Sequence, residues 1–137
     1  MITRVGSVPI FVSDQERTLA FFRDKLGFTV AYDYQYGPEF RWLAVAHPDG
    51  GTEIVLFHPV PSVVGDRVEE LNKRIGTWTG IILLTDDIKH TYQTLSERGV
   101  EFSVEPRQQS WGGWEALFTD PDGNGFHLVQ RPERAER

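Results

Sequence analysis

The chain carries the same series of secondary-structure signals twice, at a spacing of 72 to 73 residues. Helix-start signals, helix-ending glycines and Pro-Asp-Gly turns all recur. The pairs are Ser13-Asp14 with Thr85-Asp86 (offset 72), Gly27 with Gly99 (offset 72), and Pro48-Asp49-Gly50 with Pro121-Asp122-Gly123 (offset 73). This duplication predicts two equivalent modules, each with an apolar sheet face that must find a partner. The 137 residues suffice for one domain, whereas half of them would be too few to be stable alone.

The first module, residues 4–58, has the pattern of a βαβββ unit. A β-rich run over residues 4–12 leads to Ser13, which together with Glu16 matches a capping box and predicts a helix start. An apolar stripe at helical spacing continues to Gly27, where the helix should end. Three strands are then predicted, over residues 28–36, 39–46 and 52–57.

The second module, residues 77–131, repeats that order after a connector at residues 59–76. The connector is rich in proline, glycine and charge, with a possible short helix over residues 67–74. The second helix should begin near Thr85 and stop at Gly99. The strands of this module are predicted at residues 77–84, 100–106, 114–119 and 126–129. The sequence therefore predicts one α+β domain over residues 1–137, built from two tandem βαβββ modules.

The composition limits the classes of binding partner and the cellular compartment that we expect. The net charge of -6 disfavours nucleic acid and mildly favours cationic or neutral ligands. The absence of cysteine is compatible with a reducing cytoplasm and excludes thiolate metal sites. No apolar run is long enough for a membrane span, and the first residues lack the features of a signal peptide. We therefore expect a cytoplasmic protein that does not bind membranes.

Three stretches carry a resemblance to a known superfamily. VSDQERTLAFFRDKLGF, TDDIKHTYQTLSERGVEF and DPDGNGFHLVQ resemble the vicinal oxygen chelate superfamily, which includes glyoxalase I, extradiol dioxygenases, and the fosfomycin and bleomycin resistance proteins. The likeness covers residues 4–131. It implies curved mixed sheets that enclose a cleft, and a homodimer. It does not fix the function, because this fold supports several chemistries and a branch that only binds ligands.

The resemblance also implies which positions face the cleft. Metal-dependent members place one ligand in the first strand of each module, and those positions fall on Ser7 and Gly80. The usual carboxylate of the last strand is replaced by His127. In the first module the matching position is Val55, with Glu53 on the same strand face.

The internal repeat gives a different register for that strand. Subtracting 73 from 127 places Ile54, rather than Val55, at the cleft, and His58 would then face it too. A catalytic divalent metal needs about three protein ligands and an open position. Here only His127 is a good donor and Glu53 a possible one, so no cofactor is expected. If a divalent metal does bind, its ligands would be His127 and Glu53, with His58 possible.

Aromatic and polar side chains suggest a binding surface for a small organic molecule. Trp111 lies between Ser110 and Gly112 in a loop that could contact a ligand, and Arg41 could orient a polar group. The candidate ligand-binding residues are thus Ser7, Arg41, Glu53, Val55, Gly80, Trp111 and His127.

Two functions fit this set. The first is binding or sequestration of a small organic ligand in an aromatic-lined cleft. The second is an enzyme, a lyase, isomerase or dioxygenase that uses His127 as general acid or base or in an atypical metal site. His127 also has a purely structural interpretation, as a half-buried histidine bonded to a neighbouring strand. The sequence leaves open whether the protein is an enzyme.

Overall fold

Each half of the repeat forms its own four-stranded mixed sheet in the computed structural model, which describes residues 1–133. In the first sheet the order is β1-β4-β3-β2, with β1 parallel to β4 and the other pairs antiparallel. Its strands are β1 (Ser7–Phe11), β2 (Thr29–Tyr36), β3 (Phe40–Ala46) and β4 (Glu53–Phe57).

The second sheet repeats this topology in the order β5-β8-β7-β6, with β5 parallel to β8. Its strands are β5 (Trp78–Leu84), β6 (Glu101–Gln108), β7 (Trp114–Thr119) and β8 (Gly125–Gln130). The predicted α+β fold of two βαβββ modules is therefore confirmed. The described residues divide into two compact units, with Met1–Thr77 and Pro121–Gly123 in the first and the other described residues from Trp78 onward in the second.

The helices follow the predicted positions. They are α1 (Gln15–Ala20), which continues as a π-helical turn over Phe21–Lys25, α2 (Pro61–Val64), α3 (Val68–Asn72) and α4 (Ile88–Glu97). A 3₁₀ turn, Gly65–Arg67, joins α2 to α3, so the connector is more helical than the sequence indicates. Within residues 1–133, no helix is both long and apolar enough to cross a membrane.

The predicted capping box at the start of α1 is wrong by one residue. Asp14, not Ser13, is the N-cap, and its carboxylate accepts a hydrogen bond from the backbone N–H of Arg17 at 3.1 Å. Ser13 instead directs its own N–H to Asp122 Oδ2, at 3.0 Å. Glu16 ion-pairs with Arg41 rather than returning to the cap. Either residue can cap a helix, and the bonds to Asp122 hold Ser13 outside it.

Each sheet packs its helix-facing side into a core. In the first unit Phe22, Leu43 and Leu56 are fully buried on that side. In the second unit Phe118 stacks on Phe126, with ring centroids 5.4 Å apart, and both rings are almost completely buried. Each such side chain contributes about 1.5–3 kcal/mol when it leaves water, so these faces account for much of the stability.

The turn between β7 and β8 depends on a buried carboxylate. Asp120 accepts hydrogen bonds from the backbone N–H of Asn124 at 2.8 Å and from its side-chain amide at 2.9 Å. Its own N–H donates to the carbonyl of Asn124 at 3.0 Å. Asp120 and Asn124 are 5% and 1% exposed, so water cannot replace these bonds.

We expect Asp120→Ala to lower the free energy of unfolding by about 1–3 kcal/mol, because it leaves buried donors without their acceptor. Urea denaturation followed by circular dichroism measures the change. Asp49→Ala in the corresponding turn of the first unit is the control, since the Asp49 side chain is 92% exposed. Equal effects of the two substitutions would contradict this role for Asp120.

Candidate ligand-binding cavity and histidine site

The first unit contains a cavity of about 250 Å³ on the sheet face that points away from α1. Its floor is formed by side chains of β1, β3 and β4, namely Ser7, Pro9, Phe11, Trp42, Val55 and Phe57. Its cover comes from the connector, with Val64, Arg67, Leu71 and Arg74. The volume is a little below the roughly 300–1,000 Å³ of sites for drug-sized ligands, so it suits one or two fused rings.

Strand register explains why this floor is aromatic. Phe11 pairs with Phe57 across β1 and β4, and side chains two residues apart on a strand share a face. The Phe57 ring centroid lies 5.7 Å from that of Phe11 and 6.3 Å from that of Trp42, both in edge-to-face geometry. Phe40 joins the cluster, with its centroid 5.3 Å from that of Phe57. These rings offer both faces and edges to a flat apolar ligand.

The aromatic surface continues onto the edge strand β2. Tyr34 is the cross-strand partner of Trp42, and Tyr36 is the partner of Phe40. The hydroxyl groups of Tyr32 and Tyr36 are 2.7 Å apart, and this hydrogen bond raises the pKa of Tyr36. The three tyrosines are 43%, 56% and 49% exposed, so this part of the sheet face is open.

Among the described residues, the charged side chains that line the cavity are Arg67 and Arg74, and both contact Glu70. Arg74 Nη2 lies 2.8 Å from Glu70 Oε1, and Arg67 Nε lies 3.5 Å from Glu70 Oε2. The hydrogen bond and the charge of Arg67, with a smaller contribution from Arg74, lower the pKa of Glu70. The Arg74 guanidinium also lies over the Phe11 ring, 5.8 Å from its centroid. The charges at this cavity differ in sign from the net charge of the chain.

The structure places Val55 at the cavity and Ile54 on the core side of β4. Val55 pairs with Pro9 and Ala44, whereas His127 pairs with Ile82 and Leu117. Because Val55 and His127 hold equivalent places, the offset in this strand is 72, one less than in the preceding turn. The first unit has one additional residue there, and Gly50 and Gly51 both have positive φ, 91° and 108°.

That register also decides the position of His58. The expectation that His58 faces the cleft required Ile54 to do so, and it is therefore not supported. His58 Nδ1 donates to the carbonyl of Val12 at 2.9 Å, since a carbonyl can only accept. His58 is not among the residues that line the cavity.

His127 lies in the second unit, half-buried on β8. Its ring packs edge to face against Trp78, with centroids 4.2 Å apart. Its buried Nδ1 forms an ion-pair contact with Glu115 Oε1 rather than a well-aligned hydrogen bond. Among residues 1–133, Nε2 makes no hydrogen bond to protein. Glu115 was not predicted as a site residue, although its alternation with the buried side chains of β7 places it on the face of His127.

The other predicted site residues lie in different surroundings. Glu53 pairs with Ser7 at the start of β4 and is half-buried outside the cavity lining. Arg41 forms ion pairs with Glu16 and Asp33, the latter at 2.8 Å, and hydrogen bonding to Asp33 raises its pKa. Arg41 is therefore occupied by protein carboxylates.

Gly80 and Trp111 belong to the second unit. Gly80 has φ of 75° within an irregular part of β5, a conformation that favours glycine. Trp111 is half-exposed, and its ring lies so close to Gly113 that a Cβ there would be 1.8 Å from it. The loop therefore holds the indole against its own backbone. Of the predicted set, only Ser7 and Val55 are brought together at the cavity.

These donors do not fit the metal site that the fold implies. At the first-strand positions, Ser7 offers only a hydroxyl and Gly80 has no side chain. Val55 has no donor atom in its side chain. Within residues 1–133, no group of three or more His, Cys, Asp or Glu side chains is arranged to hold a metal ion. The expectation that no metal cofactor binds remains a prediction.

The two βαβββ units have the same sheet topology, β1-β4-β3-β2 in the first and β5-β8-β7-β6 in the second. This paired arrangement is the fold of a known superfamily. A family model described as Glyoxalase/Bleomycin resistance protein/Dioxygenase superfamily matches residues 4–128. The chain belongs to this superfamily.

Individual relatives agree with this assignment. A superfamily member from Sphaerobacter thermophilus is 41% identical, with a TM-score of 0.82, covering 95% of this chain and 98% of that one. TnmS3, described as an antibiotic binding protein from a Streptomyces species, is 34% identical, with a TM-score of 0.76 and coverage of 96% and 98%. YetH, an uncharacterized protein of Bacillus subtilis, is 35% identical over 95% of this chain and 100% of its own length.

We expect protein purified from medium supplemented with iron, zinc and manganese to contain far less than one metal ion per chain, because the available donors are too few. Inductively coupled plasma mass spectrometry measures the content. His127→Ala is the matched variant, since His127 is the best donor. About one equivalent of metal that is lost in this variant would contradict the prediction.

Proposed function

We propose that the protein is a cytoplasmic small-molecule-binding protein that holds an organic ligand in the first-unit cavity without transforming it. The observation that carries the proposal is the aromatic floor of Phe11, Trp42 and Phe57 in a cavity of about 250 Å³. Large rigid rings bind flat ligands at low entropic cost. The description of TnmS3 as an antibiotic binding protein supports a binding role within this superfamily.

The chemistry of the lining supports binding over catalysis. Of the described residues, those that line the cavity include no carboxylate and no histidine. Ser7 supplies a hydroxyl, but a serine nucleophile needs an adjacent base, and none of the lining residues between positions 1 and 133 provides one. The arginines can orient a ligand, but a guanidinium has only donors and is therefore a poor base.

A second candidate function rests on the contact between His127 and Glu115. A carboxylate at one ring nitrogen fixes the orientation of an imidazole, and a general base must be held in position. Nε2 would then exchange the proton with a substrate. This arrangement favours a lyase, isomerase or dioxygenase of the same superfamily as the alternative.

We also propose that the protein is a homodimer. Trp78, Ile82 and Leu84 lie on one face of the edge strand β5 and are 51%, 57% and 53% exposed. A row of exposed apolar side chains on an edge strand is unfavourable in a monomer and suits an interface.

Trp42→Ala tests the binding proposal, because it removes one wall of the aromatic floor. A library of aromatic compounds is screened for those that raise the melting temperature. We expect the variant to bind the best compound at least about tenfold more weakly, consistent with the loss of one buried aromatic contact. The compound should be recovered unchanged, and His127→Ala should bind it with unaltered affinity. Turnover that His127→Ala abolishes would favour the enzyme instead.

Light scattering tests the dimer. At micromolar concentration we expect twice the mass of one chain, and Ile82→Glu should shift the protein toward the monomer because it places a charge in the apolar row. Ile82→Val, which keeps the site apolar, should remain dimeric. A wild-type mass near that of a single chain would rule the dimer out.

A further inference from the structure

The connector places two arginines at the cavity and a glutamate in contact with both of them. Arg67, Glu70 and Arg74 are spaced three and four residues apart, which brings them to the same face of the helical segment. Glu70 holds both guanidinium groups, at 3.5 Å from Arg67 and 2.8 Å from Arg74. Both arginines line the cavity, whereas Glu70 does not.

The charges of this group do not balance. Two guanidinium groups face one carboxylate, which leaves one positive charge at the cavity in a chain whose net charge is -6. Each guanidinium has five N–H donors, so the two oxygens of Glu70 satisfy only a minority of them. The remaining donors suit a second anion, because an arginine fork matches the geometry of a carboxylate.

The same cavity provides an apolar floor beside these donors. Arg74 lies over the Phe11 ring, 5.8 Å from the centroid, so its cation adjoins the aromatic cluster directly. A ligand whose ring packs against Trp42 and Phe57 would therefore bring a substituent within reach of the connector.

We propose that the cavity selects planar aromatic anions, and that Glu70 is an internal competitor for the two arginines. This inference rests on the proposed binding function. In the free protein Glu70 neutralises part of the positive charge of the two arginines. When a ligand binds, its anionic group shares or replaces the Glu70 contacts. Because the three side chains are about half-exposed, the internal ion pairs are weak and readily exchanged.

The role of Glu70 sets the sign of the expected effects. Its carboxylate attracts the arginines but repels the anion of the ligand at close range. Removal of the Glu70 charge should therefore strengthen the binding of anions, whereas loss of either arginine charge should weaken it. Both changes should affect a neutral ligand of the same shape less, because it carries no charge.

The test uses 2-naphthoate and its neutral counterpart 2-naphthamide as probes, with affinities from isothermal titration calorimetry on the full chain. We expect the wild type to bind 2-naphthoate about tenfold more tightly than 2-naphthamide, as expected for a charge-assisted hydrogen bond. Arg67→Gln and Arg74→Gln should each weaken 2-naphthoate binding by about three- to tenfold, and Glu70→Gln should strengthen it by a similar factor. Binding of 2-naphthamide, which carries no charge, should change less than that of 2-naphthoate in all three variants.

Glu69→Gln is the matched control, because it removes the same charge from the same helix. Glu69 pairs with Lys73 at 3.8 Å, and neither residue lines the cavity. The control should leave 2-naphthoate affinity unchanged, which separates a local effect of Glu70 from a change in net charge. Melting curves verify that each variant is folded.

The outcomes distinguish this inference from the proposed function. If both probes bind equally well and Trp42→Ala weakens both, the cavity binds aromatic molecules but the anion preference is wrong. Equal effects of Glu69→Gln and Glu70→Gln would overturn the role of Glu70. If neither probe binds, or if Trp42→Ala has no effect on either, the proposed function and this inference both fail.

Discussion

Each four-stranded sheet has two faces, and the helix of its own unit can cover only one of them. This constraint decides where function can arise. In the first unit the connector lies over part of the second face, so that Phe11, Trp42 and Phe57 form a cavity floor instead of a solid core. In the second unit the corresponding face carries the half-buried His127 and the exposed Ile82. An apolar face of this kind is stable only when a ligand, a connector or another chain protects it.

The two units thus concentrate different chemistry on equivalent strands. Val55 and His127 occupy the same place in the topology, yet one is an apolar wall and the other an imidazole paired with Glu115. Binding needs shape, aromatic area and a few orienting charges, which the first unit supplies. Proton transfer needs a base that is held in position, which the second unit offers through His127 and its contact with Glu115. This separation is why ligand binding is the better-supported function and acid–base catalysis the alternative.

The fold could be predicted from the sequence because the repeat, the turn residues and strand alternation all indicate the same topology. The site was harder to predict from the sequence than the fold, because it depends on local geometry. The additional glycine at Gly51 shifts the register by one, so subtraction of the repeat offset indicated Ile54 instead of Val55. Glu70 was not predicted as a site residue, because charged side chains in a connector usually lie on a solvated surface. Arg41 was predicted to orient a ligand, but long-range pairing with Asp33 is not visible in a sequence.

The four tryptophans provide a direct measurement of where the ligand binds. Their indole N–H signals can be assigned by substitution in a ¹⁵N–¹H NMR spectrum and followed during titration with an aromatic ligand. We predict that the Trp42 signal shifts strongly, while that of Trp114, whose ring packs beneath Lys89 in the second unit, stays in place. A titration in which Trp78 or Trp111 shifts and Trp42 does not would place the ligand elsewhere and contradict the account.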